Sequence, residues 1–386
     1  MFLFKLLLKN AFRHKLRTLL TMVGLIVAIS AFGLLRTIVD AWYAGVDATS
    51  STRLITRSAI SVGYPLPLYY AERIRKVEGV AHVTWANWFG GIYIDRKNFF
   101  ARFAVDGPSY FALYPEYRVS DEQQLAFLAD RQGAIVGRKT AQRFGWQVGD
   151  TIPLQGNIYP GNWNFTIRGI YTGADARTDE TLMLMHWSLL AESVRKRVGS
   201  AQANQVGLYV VGIKDPNRAA AISQEIDALF KNSGAETRTE TEKSFQLGIV
   251  AMSQAVLMAI RAVSFVVILI IMAVMANTMT MTARERLAEY ATLKALGFSP
   301  AFVVKLLFGE SLMIAAIGGA IGIAATFPLA SAFLSQTQQL FKVFEISQET
   351  MLIQAGAALV VGLIAAAWPA WKMSRIDIVQ GLRHVA

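Results

Sequence analysis

The 386-residue chain contains no cysteine. Disulfides, thiolate zinc sites, iron–sulfur clusters and thiol nucleophiles are therefore excluded, and the redox compartment is left unread. Histidine is scarce too: His14, His82, His186 and His384 are scattered without paired spacing, so no metal site is indicated. Charged residues make up 17%, against about 25% in a typical soluble domain. With 54% hydrophobic residues and a mean hydropathy of +0.37, a purely soluble chain is disfavoured. A constellation for enzymatic chemistry is also missing. The nearest thing to a phosphate loop, GAIVGRKT at 133–140, has only three residues between its glycines and places Arg138 before Lys139. It reads as a strand end leading into a helix.

Long apolar runs are present instead. Four stretches reach the roughly 20 residues that a helix needs to cross a bilayer. They lie at about 18–39, 262–282, 302–334 and 351–371. The first could also be a signal peptide, but its apolar run exceeds the roughly 7–15 residues of a signal core, which favours retention. Arg36 stands near its outer end, where a long side chain snorkels. Trp368 and Trp371 mark an interfacial exit of the fourth.

The formal charge of +11 would suggest nucleic acid in a soluble protein. Its distribution says otherwise. Residues 1–17 contribute +5, the loop 283–305 contributes +2 and the tail 372–386 contributes +2, whereas 40–250 balances 23 basic against 21 acidic residues. The positive-inside rule then places both termini and the 283–301 loop in the cytoplasm, and 40–250 and 335–350 outside. No nucleic acid is needed to explain the charge. Lys5, Lys9 and Arg13, interleaved with apolar residues, predict an amphipathic helix over 1–17 lying on anionic lipid headgroups.

Segment 40–250 reads as a folded mixed α/β domain inserted between the first and second spans, with the option of two subdomains. A helix is expected over 66–77, strands in GVAHVTWAN, RFAVDG, AIVGR, DTIPLQG, NFTIRGIY and QVGLYVVGI, and a helix over 219–231. A polar run at 236–243 leads into a helical stalk reaching about 261. Trp85, Trp88, Phe89, Tyr93, Phe99, Phe100 and Phe103 read first as domain core and second as a ligand or partner surface.

Between the second and third spans, RERLAEYATLKAL is built of helix formers, Gly297 supplies a stop, and Ser299–Pro300 restarts a helix. Leu287, Tyr290, Ala291, Leu293 and Leu296, flanked by Arg286, Glu289 and Lys294, form an amphipathic surface suited either to a groove on another protein or to the headgroups. In the third span, Gly318, Gly319 and Gly322 offer a small-residue packing face, within the subunit or across a dimer. Glu310 is expected near the inner interface, stabilising packing.

Four stretches resemble the MacB/FtsX-type permease family of ABC transporters. NAFRHKLRTLLTMVGLIVAISAF resembles its basic elbow and first span, and AIVGRKTAQRFGWQVGDTIPLQG with NFTIRGIYTG resembles its periplasmic core domain. MTARERLAEYATLKALGFSPAFVVKLLFGESLMIAAIGGAIGIA resembles the segment joining the second and third spans, and PAWKMSRIDIVQGLR the closing motif. The resemblance implies an inner-membrane permease subunit without a fused ATPase domain and not itself an enzyme. Its coupling helix, Arg284 to Phe298 with Arg284, Arg286, Leu287, Glu289, Tyr290, Leu293, Lys294, Leu296 and Gly297, would seat on a separate nucleotide-binding subunit that holds ATP and magnesium. A second permease copy, in a homodimer or heterodimer, is implied, and an adaptor with an outer-membrane channel is compatible. Two functions follow as expectations: mechanotransmission driving export of a hydrophobic, peptide or lipid cargo, or a relay that activates a cell-wall hydrolase or sensor.

Overall fold

A computed structural model describes residues 11, 13–175, 177–337, 341 and 344–376. The expected headgroup contacts of Lys5 and Lys9, and the tail beyond Ile376, lie outside the described residues. The chain divides into two compact units, one from Met1–Asp40, Ser253–Thr337 and Phe344–Ala386, the other from Ala41–Met252 and Gln338–Val343.

The first unit is helical. Its four apolar helices, Lys15–Asp47, Gln254–Glu285, Pro300–Thr337 and Gln348–Ser374, are each long enough to cross a membrane. The shortest has 27 residues, about 40 Å at 1.5 Å per residue, against a hydrocarbon thickness of about 30 Å. All four expected runs fall inside these helices, which extend beyond them because backbone hydrogen bonding does not stop where hydropathy falls. Leu25, Ile29, Met275, Ile314, Ala358 and Val361 share one buried cluster.

Small residues set the helix spacing. A Cβ on Gly318 would meet Leu25 Cδ2 at 2.8 Å, and one on Gly322 would meet Ile29 Cβ at 2.9 Å and the Ile26 carbonyl at 3.2 Å. Gly319 faces Ala358 at 2.6 Å. The glycine face therefore packs within one chain, the first helix on one side and the fourth on the other. Polar groups reinforce it. Buried Gln354 donates to the Ile29 carbonyl at 2.9 Å and to Thr326 Oγ1 at 2.8 Å, and Ser311 donates to the Gly362 carbonyl at 2.6 Å. Arg36 pairs with Glu349 at 2.7 Å.

The second unit is built on one mixed sheet. From edge to edge it runs Thr237–Thr241, Arg53–Ser58, Leu208–Ile213, Val80–Trp88, Arg102–Val105, Met183–His186, Gly133–Gly137, Gly161–Gly173, Thr151–Gly156 and Gly91–Ile92. Two neighbouring pairs are parallel, Met183–His186 with Arg102–Val105 and Gly133–Gly137 with Gly161–Gly173. The sheet is continuous, and its faces carry three separate apolar clusters.

Two expectations change. The helix over 66–77 shrinks to Tyr70–Ile74, because Leu66–Pro67 pairs with Gln205–Val206; alternate prolines at 65 and 67 bias the intervening residue to extended backbone. The stalk is divided. Glu242–Ala251, capped by Thr241 accepting from the Ser244 amide, belongs to this unit, and a new helix starts at Gln254. In the loop at 133–140, a Cβ on Gly137 would lie 2.1 Å from the Glu180 carbonyl, and Arg138 pairs with Glu180 at 3.0 Å. An acceptor and an acid occupy the place where phosphate would need donors. Among the aromatics, Phe89 and Phe100 are core, whereas Trp88 and Phe99 remain exposed.

A buried polar node fixes how the chain enters and leaves this unit. Arg53 donates from Nε to Glu242 at 2.8 Å, from Nη1 to the Leu113 carbonyl at 2.9 Å and from Nη2 to Glu116 at 2.6 Å. Its guanidinium lies 4.3 Å from the centre of the Tyr114 ring. Glu242 also accepts from the Ser50 amide at 2.9 Å. Burial alone would lower the Arg53 pKa, but Glu116 and Glu242 hold it above its ordinary value.

Candidate functional site

The connection between the second and third long helices is a short helix, Leu287–Ala295. It starts three residues later than the sequence suggests. Arg284 still belongs to the last turn of Gln254–Glu285, and Arg286 is the hinge residue between the two helices. Gly297, at φ +93°, takes the left-handed conformation that ends the segment, and the Phe298 amide reaches back to the Leu293 carbonyl at 3.1 Å. Pro300 then opens the next helix.

The apolar face expected to meet a partner is turned inward. Tyr290 and Ala291 are buried, and Leu287, Tyr290 and Leu293 pack with Val303, Leu307 and Met373. Burying side chains of this size contributes about 1.5–3 kcal/mol each, so this face holds the segment to its own unit. What stands free is the far end. Leu296 is 71% exposed and Phe298 45% exposed, with Ala295 and Gly297 also at the surface. The Phe298 ring lies 4.9 Å from that of Phe302.

Ion pairs brace the segment against its neighbours. Arg286 donates from Nη1 to Glu310 at 2.8 Å and from Nε to Glu289 at 3.0 Å, and its guanidinium sits 5.2 Å from the Tyr290 ring centre. Arg286 and Glu310 are both buried. A buried pair of this kind gains little over an apolar pair, but removing one partner costs about 3–5 kcal/mol. Burial opposes the charge on Arg286, yet Tyr290, Glu310 and Glu289 raise its pKa. Burial pushes Glu289 up, but hydrogen bonds from Arg13 and Arg286 hold its carboxyl below the usual range. Burial raises the Tyr290 phenol.

Arg13, expected on lipid, pairs with Glu289, and Arg17 pairs with Glu285 at 2.7 Å. Lys294 donates to the carbonyls of Met373, Ser374 and Ile376 at 3.1, 2.9 and 2.9 Å. The ammonium thus caps the fourth long helix, whose terminal carbonyls lack partners within the helix. The structure brings together Arg13, Arg286, Leu287, Glu289, Tyr290, Leu293 and Lys294, and leaves Leu296 and Gly297 outward and Arg284 exposed at the preceding helix end. Sequence reasoning missed Glu310 as the partner of Arg286. The two are 24 positions apart, and the one available signal was an acid in an otherwise apolar run facing a basic loop.

Comparison with known proteins gives two matches to family models. One, the MacB-like periplasmic core domain, covers residues 18–229, more than half of the chain; the other, the FtsX-like permease C-terminal region, covers 261–378. An uncharacterized ABC transporter permease protein of Mycobacterium tuberculosis is 24% identical over 249 residues, which are 62% of this chain and 27% of that protein. The chain thus spans about a quarter of that relative's length. Among solved structures, the extracellular domain of the noncanonic ABC-type transporter YknZ from Gram-positive bacteria aligns at 12% identity with a TM-score of 0.35, over 49% of this chain and 98% of that one.

Proposed function

The chain belongs to the MacB/FtsX-type permease family of ABC transporters, and from that membership we propose that it is a permease subunit driven by a separate ATPase. The ATPase binds ATP and magnesium and seats on the exposed Leu296–Phe298 end of the short helix. The observation that carries this reading is the combination of an exposed apolar tip with a braced base. A load on the tip passes through Arg286–Glu310 into the third long helix and through Lys294 into the end of the fourth. The helices pass it to the α/β domain, which works by mechanotransmission on a hydrophobic, peptide or lipid cargo outside the inner membrane. Both termini are cytoplasmic in this reading, from the basic excess around the loop and the N-terminus. A second permease copy completes the transporter; the second long helix, exposed at Phe265, Leu269 and Ile270, has a face for it or for lipid.

The test separates tip from base. Co-purification in mild detergent should recover an ATPase subunit with the wild-type chain. Phe298→Asp and Leu296→Asp should lose it while the permease keeps its thermal stability. Tyr290→Asp should instead unfold the segment. Retention of the ATPase by the double tip variant overturns the assignment. Export predicts an adaptor in the same preparation, and the relay reading predicts a peptidoglycan hydrolase.

A further inference from the structure

The α/β unit holds a cavity of about 540 Å³ that the coupling reading does not use. That volume lies in the roughly 300–1,000 Å³ range of small-molecule sites. Its walls are Trp88, Tyr159, Pro160 and Trp163, with Val194 and Asn87. Large apolar side chains stand exposed around it: Trp88 at 41%, Ile158 at 53% and Val198 at 65%. They are not needed to close the core, since Phe89, Phe165 and Trp163 already pack on one another behind them.

Arg197 is the one charged residue among those lining this cavity. It ends the helix Trp187–Arg197, and its two basic neighbours are engaged elsewhere, Lys196 with Glu192 at 2.9 Å and Arg195 with Asn204 at 3.5 Å. Arg197 has no carboxylate partner among the described residues and lies over the Trp163 ring, 5.7 Å from its centre. The strand start beside it makes room: Gly161 has φ +130°, and a Cβ there would come within 2.5 Å of Arg197 Nη1. A guanidinium beside an indole face, with no carboxylate partner among the described residues, is ready to take an anion. Asn87 adds a buried amide whose Nδ2 donates to the Tyr159 hydroxyl at 3.3 Å, while its Oδ1 has no hydrogen-bond partner among the described residues.

We propose that this cavity binds an amphipathic anion, its apolar body against Trp88, Tyr159 and Trp163 and its acid group on Arg197. The concave shape favours a small amphiphile over a protein surface. A charge at one end and aromatic walls at the other select a molecule with both characters. The site is independent of the coupling reading, because its test is equilibrium binding to the permease alone.

The cysteine-free chain permits a clean probe. Val198→Cys, carrying an environment-sensitive fluorophore, reports at the rim in the full chain held in phosphatidylcholine nanodiscs. Leu125→Cys, also exposed, is the control outside the cavity. Dodecanoate, titrated below its micelle concentration, should give a saturable response at 198 and none at 125. Arg197→Gln should weaken dodecanoate at least tenfold and leave dodecanol unchanged, and Arg197→Lys should stay within threefold of wild type. Adding phosphatidylglycerol to the nanodiscs distinguishes the sources. A response to it alone, lost in Arg197→Gln, assigns bilayer lipid, whereas a response only to dodecanoate assigns a free amphiphile. No saturable response to either, equal responses at 198 and 125, or an unchanged affinity in Arg197→Gln overturns the proposal.

Discussion

Replacing Arg53 by methionine tests whether the polar node binds the two ends of the α/β unit to each other. The substitution keeps an unbranched apolar stem and removes the donors to Glu242, Glu116 and the Leu113 carbonyl. Glu116 is a quarter exposed and rehydrates, but Glu242 is 6% exposed and keeps only the Ser50 amide and a long contact from the Tyr114 hydroxyl. Stranding one member of a buried pair costs about 3–5 kcal/mol. At about 1.4 kcal/mol per tenfold, the lower figure speeds exchange through local opening on the order of 100-fold. The assay is amide hydrogen exchange over Glu242–Ala251, which this pair ties to the first strand. Arg53→Met with Glu242→Gln removes the stranded charge and should recover about 2 kcal/mol relative to the single variant. Arg131→Met, which breaks a pair with a 73% exposed arginine, should change exchange by less than about fivefold, the 1 kcal/mol scale of surface pairs. An increase below fivefold in Arg53→Met, or a double variant less protected than the single one, refutes the reasoning.

Two further outcomes follow from packing and titration. Gly322→Val drives a side chain into Ile29 and the Ile26 carbonyl and should destabilise the helical unit by about 1–3 kcal/mol in thermal unfolding, whereas Gly356→Val meets nothing within 4 Å and should be near neutral. His186 is held below its ordinary pKa, chiefly by burial, with its Nε2 on the Phe127 carbonyl at 2.7 Å. A base with a lowered folded pKa gives stability that is fully present above its unfolded value of about 6.5 and is lost as pH falls through the folded one. Thermal unfolding should therefore fall with pH below that point, and His186→Gln should flatten the fall.

The chain's plan was legible wherever one residue type dominates a stretch. Apolar runs located all four long helices, because twenty carbon-rich side chains in sequence have few other solutions. Runs of β-branched and aromatic residues bounded by glycine located the strands at Val80–Trp88 and Leu208–Ile213. Direction was harder. The stripe Leu287, Tyr290, Leu293 announced a face, but a stripe does not say whether it covers the chain's own helices or another protein, and it covers its own. Arg13, Arg286 and Lys294 were visible as charges, while their partners Glu289, Glu310 and the carbonyls at 373–376 were fixed by folding. The Arg53 node escaped because its members lie 63 and 189 positions apart.

Lys294 also carries a consequence for the order of assembly. The carbonyls it caps lie 79, 80 and 82 positions later in the chain. Synthesis runs from the N-terminus, so the ammonium is in place before the groups it serves exist. The fourth long helix therefore meets a donor already synthesised, and the apolar cluster around it closes when Ala370 and Met373 arrive. Its last turn does not have to wait for a later residue to satisfy it, and an error in the short helix leaves that turn open from the moment it is made.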